Sequence, residues 1–459
     1  MNKRGNFSNR LGFIAATAGA AVGLGNIWGF PYEVSQGGGG AFLFIYLFFC
    51  FTICIPVMLT ELAIGRKTGR NAVGAFKALG FKNWKFAGLL GILSSILILS
   101  YYNVIAAWAF GYIFEIATFN FNIHHEFQSY TSDLFKVVSY AIIFMALTSF
   151  FVSKGVSGGI EKLAKVLMPA LIIMIISVSI YAMTLPNAIQ GLEFYIIPDF
   201  NEVTLSTVFN AMGQAFFSLS LGMGALITYG SYVSKKENLV KSAVIVTLAD
   251  VGIAFLAGLM IFPLLGFMSE GHLDNVANGP DLIFVSLPEI FAEIGGSTGA
   301  FIGAFFFLLL CFAALTSTVS MMEVPVAFLV DEFNITRKKA VLTTALVVFS
   351  TGIPSLLGNG YSDQLTSFVK YIGSDQPISF LTFVINLAND TLLPLVGLLI
   401  TLFAAYAWKK ANLDQELAIG SDYKASFLQR YMTIALKYIL PIVLTTILIM
   451  KLLVTFFGV

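Results

Sequence analysis

Residues 16–31 read ATAGAAVGLGNIWGFP, and they interrupt the first long apolar segment of the chain. Four glycines, an asparagine and a proline fall within about one membrane thickness, where an unbroken helix favours leucine and valine. Two readings of the glycines are open. Gly19-x3-Gly23 and Gly25-x3-Gly29 each fit the small-xxx-small pattern that lets membrane helices approach closely. A single packing face, however, takes glycine at every fourth residue, not at 19, 23, 25 and 29 together, and Asn26 adds a polar side chain among them. The crowding at Gly23-Leu24-Gly25 therefore favours a broken helix.

Composition supplies the surroundings. The 459 residues are 58% hydrophobic and 11% charged, with a mean hydropathy of +0.86, against roughly 25% charged residues in an average soluble domain. Such a chain is a polytopic membrane protein. A net charge of +1 with no basic stripe or arm argues against nucleic acid and leaves lipid and a small solute as partners. Cys50, Cys54 and Cys311 lie in apolar runs without metal-ligand spacing and read as buried fillers. No small-residue cleavage site follows the first apolar run, so that run is expected to stay as a helix.

Stretches long enough to cross about 30 Å of hydrocarbon fall at 11–33, 41–65, 87–116, 137–152, 166–184, 206–233, 241–268, 298–330, 340–357, 379–408 and 429–456, eleven spans in all. Basic residues test this layout. With a cytoplasmic N-terminus, all of the 26 lysines and arginines except Lys136, Lys370 and Lys451 fall at inner ends or in inner loops, as the positive-inside rule requires. An odd number of spans then puts the C-terminus outside. The layout predicts a single membrane domain over 1–459, with 11–184 and 206–408 as candidate five-helix repeats and 429–456 added as an eleventh helix.

A second interruption, GQAFFSLSLGMGALITYGSY at 213–232, puts Gly222, Gly224, Ser218 and Ser220 in the middle of span six. Spans one and six correspond if the first ten spans are two repeats of five. Paired interruptions of this kind point to inverted-repeat transporters, whose discontinuous helices hold substrate and ions at mid-membrane. Backbone survives unwound at that depth only where it lines a cavity or is buried in protein.

These segments resemble the neurotransmitter:sodium symporter family, in its bacterial amino-acid-transporting branch with the LeuT-type fold. The resemblance runs from RLGFIAATAGAAVGLGNIWGFPY through GGGGAFLFIYL, ELAIGR, GQAFFSLSLGMGALITYGSYV and LIFVSLP to FAALTSTVS. It implies an all-α fold with helices one and six unwound at mid-membrane, a sodium-coupled symporter, two sodium ions and no organic cofactor. One sodium site would take the carbonyls of Gly19, Val22 and Ala313 with the hydroxyls of Thr316 and Ser317; a hard cation suits oxygen donors. The alternative for those hydroxyls is a bond back to their own helix. The other site would use the Ala21 carbonyl, Asn26, Ser218 and a side chain from span seven. Many relatives have asparagine there; here the match falls on Ala249, and the role passes to neighbouring Asp250, because a lone carboxylate in an apolar span is expensive without a cation. An interfacial aspartate is the other reading of Asp250.

Chloride-dependent relatives hold the anion with residues like Tyr46 and Gln214 and a serine from span seven. Ile253 stands at or near that serine position and has no hydroxyl, so Asp250 would supply the negative charge and transport is expected to be chloride-independent. The resemblance places Ala21, Gly23, Leu24, Gly25, Ile98, Tyr102, Phe217, Ser218, Ser220, Met223, Ser317 and Met321 in the substrate pocket. Amine transporters carry aspartate where Gly23 stands, so glycine favours an amino acid that brings its own carboxylate. The apolar wall predicts a neutral hydrophobic substrate, aromatic ones included.

The family's outer ion pair is missing, with Gly29 at one position and Ile385 or Asn386 at the other; closure then falls to Tyr102 and Phe217. Asp390 reads as an unpaired intramembrane acid, either functional or facing a wet vestibule. The inner gate is expected from Arg4, Asp331, Tyr232 and Phe7, and Glu61 is expected to brace the broken helices. Gly159-x9-Pro169 follows a spacing with which relatives unwind the cytoplasmic half of span five. A sodium-independent exchanger and a non-transporting sensor remain alternatives within the fold. An intramembrane enzyme is disfavoured, since His124, His125 and His272 lie in outer loops.

Overall fold

The computed structural model describes residues 5–268, 280–372 and 376–457, and all regular structure among them is helical. Among the described residues nine helices are long and apolar enough to cross a membrane, and a tenth crossing arises if one sharply bent pair counts as a single span. That pair is α1 (Arg10–Ala21) and α2 (Gly25–Gln36), which meet at 51°. The nine are α3 (Gly40–Thr68), α4 (Lys82–Ala117), α5 (Leu134–Ser153), α6 (Val156–Ala182), α9 (Leu239–Met268), α10 (Gly296–Phe333), α11 (Arg337–Leu357), α12 (Phe380–Ala407) and α13 (Phe427–Phe457). Between α6 and α9 lie α7 (Leu205–Ser218) and α8 (Ala225–Gly230), each too short to cross alone.

Both interruptions have local causes. At Val22 the backbone turns extended, with φ −70° and ψ 114°, and the first helix ends. It resumes through a π turn at Gly25–Gly29 that carries Asn26 inward, the kind of widened turn that frequently marks functional sites. Between α7 and α8, Ser220, Gly222 and Gly224 all take positive φ, at 54°, 77° and 73°. A side chain at Gly222 would drive its Cβ to 2.5 Å from the Leu393 carbonyl oxygen, so glycine is required there twice over. Ser220 pays the left-handed strain with a bond from its hydroxyl to the Ala20 carbonyl, 2.8 Å, which also ties the two breaks together.

Packing puts these breaks at the centre. The most extensive helix pairing joins α4 to α10, and α1 lies against α6, α9 and α10. The apolar window of α4 is 72% buried, whereas that of α13 is 17% buried and marks the lipid edge. Phe44, Phe48, Ile173, Ile180, Leu342 and Leu346 are exposed apolar side chains on the helix exteriors, as a hydrocarbon solvent demands. Arg66, fully buried, pairs with Glu416 at 2.8 Å and donates to the Glu237 carbonyl at 2.6 Å, which satisfies an arginine that burial would otherwise penalise.

The helices overrun the sequence-predicted spans. α6 starts ten residues before the expected 166, because the apolar face continues through Val156 and Ile160 at the end where its lysines begin. Residues 282–294, read as an outer loop and its flank, form a π turn and a short helix whose inner face buries Leu287, Ile290 and Phe291.

Candidate functional site

The broken helices create a cluster of polar atoms with almost no access to solvent. Asn26, Asp250, Ser218 and Tyr46 are all buried, at 0–1% exposure. Asn26 Nδ2 donates to Asp250 Oδ1 at 2.7 Å and to Ser218 Oγ at 3.0 Å. Asp250 Oδ2 accepts from the Ser218 hydroxyl at 2.8 Å and from the Tyr46 hydroxyl at 3.4 Å. The carboxylate is thus buried among neutral donors, and among the described residues no lysine or arginine pairs with it. Protein encloses the Asp250 side chain completely. An uncompensated buried carboxylate beside two hydroxyls and an amide is a donor set suited to a hard monovalent cation. As placed, Asn26 turns its amide oxygen to the Gly23 N–H, 2.9 Å, so serving as an oxygen ligand requires its side chain to reorient.

A second set of oxygens meets on the far side of the α1 break. Thr316 Oγ1 lies 2.9 Å from the Ala313 carbonyl and 3.4 Å from the Val22 carbonyl, and Ser317 Oγ donates to the Val22 carbonyl at 3.1 Å. The back-bond of Thr316 to its own helix is therefore real, yet it coexists with contacts across to α1. Gly19 completes the group: a Cβ built there would stand 3.4 Å from Thr316 Cβ.

Between the two sets lies a chamber of about 10 Å³ lined by Ala20, Ala21, Gly25, Tyr102, Phe217, Ser218, Ser220, Met223, Ser317 and Met321. Nine of the twelve expected pocket residues line it. Gly23 borders it, with its missing Cβ directed between the Ser317 and Tyr102 hydroxyls; the Leu24 N–H donates to the Tyr102 hydroxyl at 2.6 Å, and Leu24 faces the outer cavity instead. Ile98 is fully buried one turn below Tyr102 on α4 and does not reach the chamber. Ala20 was not anticipated from sequence, because a methyl group carries no signal; its carbonyl does the work.

Phe217 rests on Gly25, whose Cβ would come within 2.8 Å of the ring, and together with Tyr102 separates the chamber from an outer vestibule of about 490 Å³. Gln214 Nε2 reaches the Gly25 carbonyl at 2.8 Å. On the inner side, the Phe7 ring packs edge-on against Tyr229 and Tyr232, and its N–H meets the Tyr232 carbonyl at 3.3 Å. Arg4 lies outside the described residues; Asp331 accepts from the Asn71 backbone and side chain at 3.1 and 3.0 Å. Sequence reading overlooked Glu323, which is fully buried and bonded to the Tyr232 hydroxyl at 2.6 Å and to Arg337. The signal was present, since a lone acid inside an apolar helix is rarely idle. Glu61 accepts the Gly222 N–H at 2.9 Å and so braces the α7–α8 break. Gly159 sits in a π turn at Val156–Ile160, and α6 runs on unbroken past Pro169.

The expectation that Asp390 is unpaired is overturned: Lys451 Nζ lies 3.2 Å from its Oδ1, and Thr455 donates to its Oδ2 at 3.3 Å. A π turn at Asn386–Leu392 swings Asp390 toward α13, a rotation that helical periodicity does not foretell.

The model of the Sodium:neurotransmitter symporter family matches residues 4–133 and 120–456. The chain belongs to this family. Symporter relatives include an uncharacterized sodium-dependent transporter of Bacillus subtilis, YhdH, 34% identical over 443 residues that cover 95% of each chain. Another uncharacterized sodium-dependent transporter, from Haemophilus influenzae, is 33% identical over 98% of each chain. Among solved structures, MhsT in complex with L-phenylalanine superposes with a TM-score of 0.87 at 38% identity, covering 98% of this chain and 100% of that one. This symporter is accordingly a sodium-using, multi-pass membrane transporter and not an enzyme.

Proposed function

We propose that the protein imports a neutral hydrophobic L-amino acid, aromatic ones included, by symport with sodium at two sites, and that it does so without chloride. The observation that carries the reading is the pair of oxygen clusters flanking one chamber at the break in the first helix, with buried Asp250 in one cluster. Asp250, Asn26, Ser218 and the Ala21 carbonyl form the first sodium site; Gly19, Val22, Ala313, Thr316 and Ser317 form the second. An amino acid carboxylate enters beside Gly23, completes the first sodium shell and pushes Phe217 outward, since the chamber must enlarge to take it. Met223 and Met321 line the side-chain end with deformable thioethers. The phenylalanine bound by MhsT supports an apolar and aromatic preference.

Eleven crossings follow if α7 and α8 count as one broken span like α1 and α2, with 11–184 and 206–408 as inverted repeats and 429–456 appended. The N-terminus is then cytoplasmic and the C-terminus outside, in the inner or plasma membrane. Sodium binding draws α1, α7 and α10 together and raises amino-acid affinity; reciprocity requires that the amino acid raise sodium affinity by the same factor.

The experiment is uptake into liposomes of labelled leucine, phenylalanine, tyrosine and tryptophan under an inward sodium gradient, against an equal potassium gradient. Accumulation above equilibrium in sodium alone is expected for at least one of them. Equal uptake in both gradients would favour an exchanger, and binding without uptake would favour a sensor. In the same vesicles, replacing chloride by gluconate is expected to leave the initial rate unchanged within about 20%; abolished uptake would remove Asp250 as the compensating charge. Tyr46 and Ser218 already direct their hydroxyls to the Asp250 carboxylate, where an anion would meet like charge.

A further inference from the structure

α13 is the helix least buried in the fold, yet its one charged residue inside the span's last turns, Lys451, points away from lipid. A lysine in such a helix is expected at the bundle interior or in a wet cavity with a partner. Lys451 is 16% exposed and lines the outer vestibule. Its stem crosses Gly213 of α7, where a Cβ would lie 3.6 Å from Lys451 Cε. Its ammonium meets Asp390 on α12 at 3.2 Å and Asn210 Oδ1 on α7 at 3.0 Å. Glu33 on α2 lines the same vestibule. α7 and α12 thus meet the ammonium carried by α13, one turn outward of Phe217. The outer end of α13 is tied further to the outer loop, where the Ile372 N–H bonds the Phe456 carbonyl at 3.2 Å and the Tyr371 ring packs on Phe456.

We infer that Lys451, with Asp390 and Asn210, is an ionic clasp that restrains α7, α12 and α13 from spreading apart around the outer vestibule above the substrate chamber, in a protein whose family's usual outer ion pair is absent. The inference rests on the transport reading for its purpose. Its mechanics need only charge: with either the ammonium or the Asp390 carboxylate removed, α13 loses its ionic tie to α12, and without the ammonium also its bond to Asn210 on α7. The pair is partly exposed, so it is strong enough to bias a gate and weak enough to be opened by binding energy.

The test uses the full chain in liposomes with a reporter, Ile385→Cys, which lines the vestibule floor. Cys50, Cys54 and Cys311 are buried and give a low background. Labelling by a membrane-impermeant maleimide is timed in potassium, in sodium, and in sodium with amino acid. Lys451→Met and Asp390→Asn are each expected to raise the labelling rate about tenfold in potassium, and the exchange Lys451→Asp with Asp390→Lys to bring it back within about twofold of the parent. Parental rates in both single variants would overturn the clasp. So would an exchanged pair as fast as the singles, which would make these contacts mere packing. Failure of sodium and amino acid to slow labelling in the parent protein would count against the transport reading alone, because the potassium comparison still decides the clasp.

Discussion

Asp250→Ala abolishes sodium-dependent amino-acid binding at millimolar sodium, the largest loss expected of any substitution in this protein. The alanine removes the acceptor of three buried donors, from Asn26, Ser218 and Tyr46, together with the only formal charge in the first cation cluster. Removing one partner from a buried charged pair typically costs about 3–5 kcal/mol, which is about two to three and a half powers of ten in apparent sodium affinity. Sodium titration of labelled amino-acid binding in detergent reads this directly. An apparent affinity within threefold of the parent would displace Asp250 from the site. The neutral Asp250→Asn retains an oxygen ligand and loses the charge, so it should weaken sodium by about tenfold. Joined to Ile253→Ser, one turn along the same face of α9, it should make binding chloride-dependent. Gluconate would then lower binding in the double variant and leave the parent unaffected.

The second large effect is Gly23→Ala. A Cβ at Gly23 would stand 2.3 Å from Ser317 Oγ and 2.4 Å from the Tyr102 hydroxyl, closer than any unbonded pair tolerates. Both neighbours are anchored, Ser317 on the Val22 carbonyl and Tyr102 on the Leu24 N–H. Moving them leaves buried polar groups without partners at about 1–3 kcal/mol each, and the methyl takes the volume an amino-acid carboxylate needs. Equilibrium binding should fall by about 10²–10³-fold. Gly252→Ala is the control, because a Cβ there meets nothing within 4 Å; binding within about threefold of the parent is expected. Equal loss in both variants would show that the loss at Gly23 does not come from the clash with Ser317 and Tyr102.

Much of this was legible before any coordinates. Apolar length and lysine placement depend on the bilayer rather than on partners, so the spans appear in one dimension. Gly23, Asn26, Gly222 and Gly224 are visible because a polar or φ-positive residue at membrane depth contradicts its surroundings. Asp250 and Asp390 stand out for the same reason, as Glu323 should have. The short helix at Leu287–Ile294 and the early start of α6 were harder, since they are set by a partner face rather than by apolar length.

What the chain determines by itself is the membrane class, the two interruptions and the polar residues set around them, all consequences of how much each side chain costs in hydrocarbon. Tertiary structure alone decided pairing: Lys451 with Asp390, Arg337 with Glu323, and Asn26 with Asp250. These partners sit on different helices. Which of them meet depends on the phase of each helix, and the π turns at Gly25–Gly29 and Asn386–Leu392 reset that phase by an extra residue per turn.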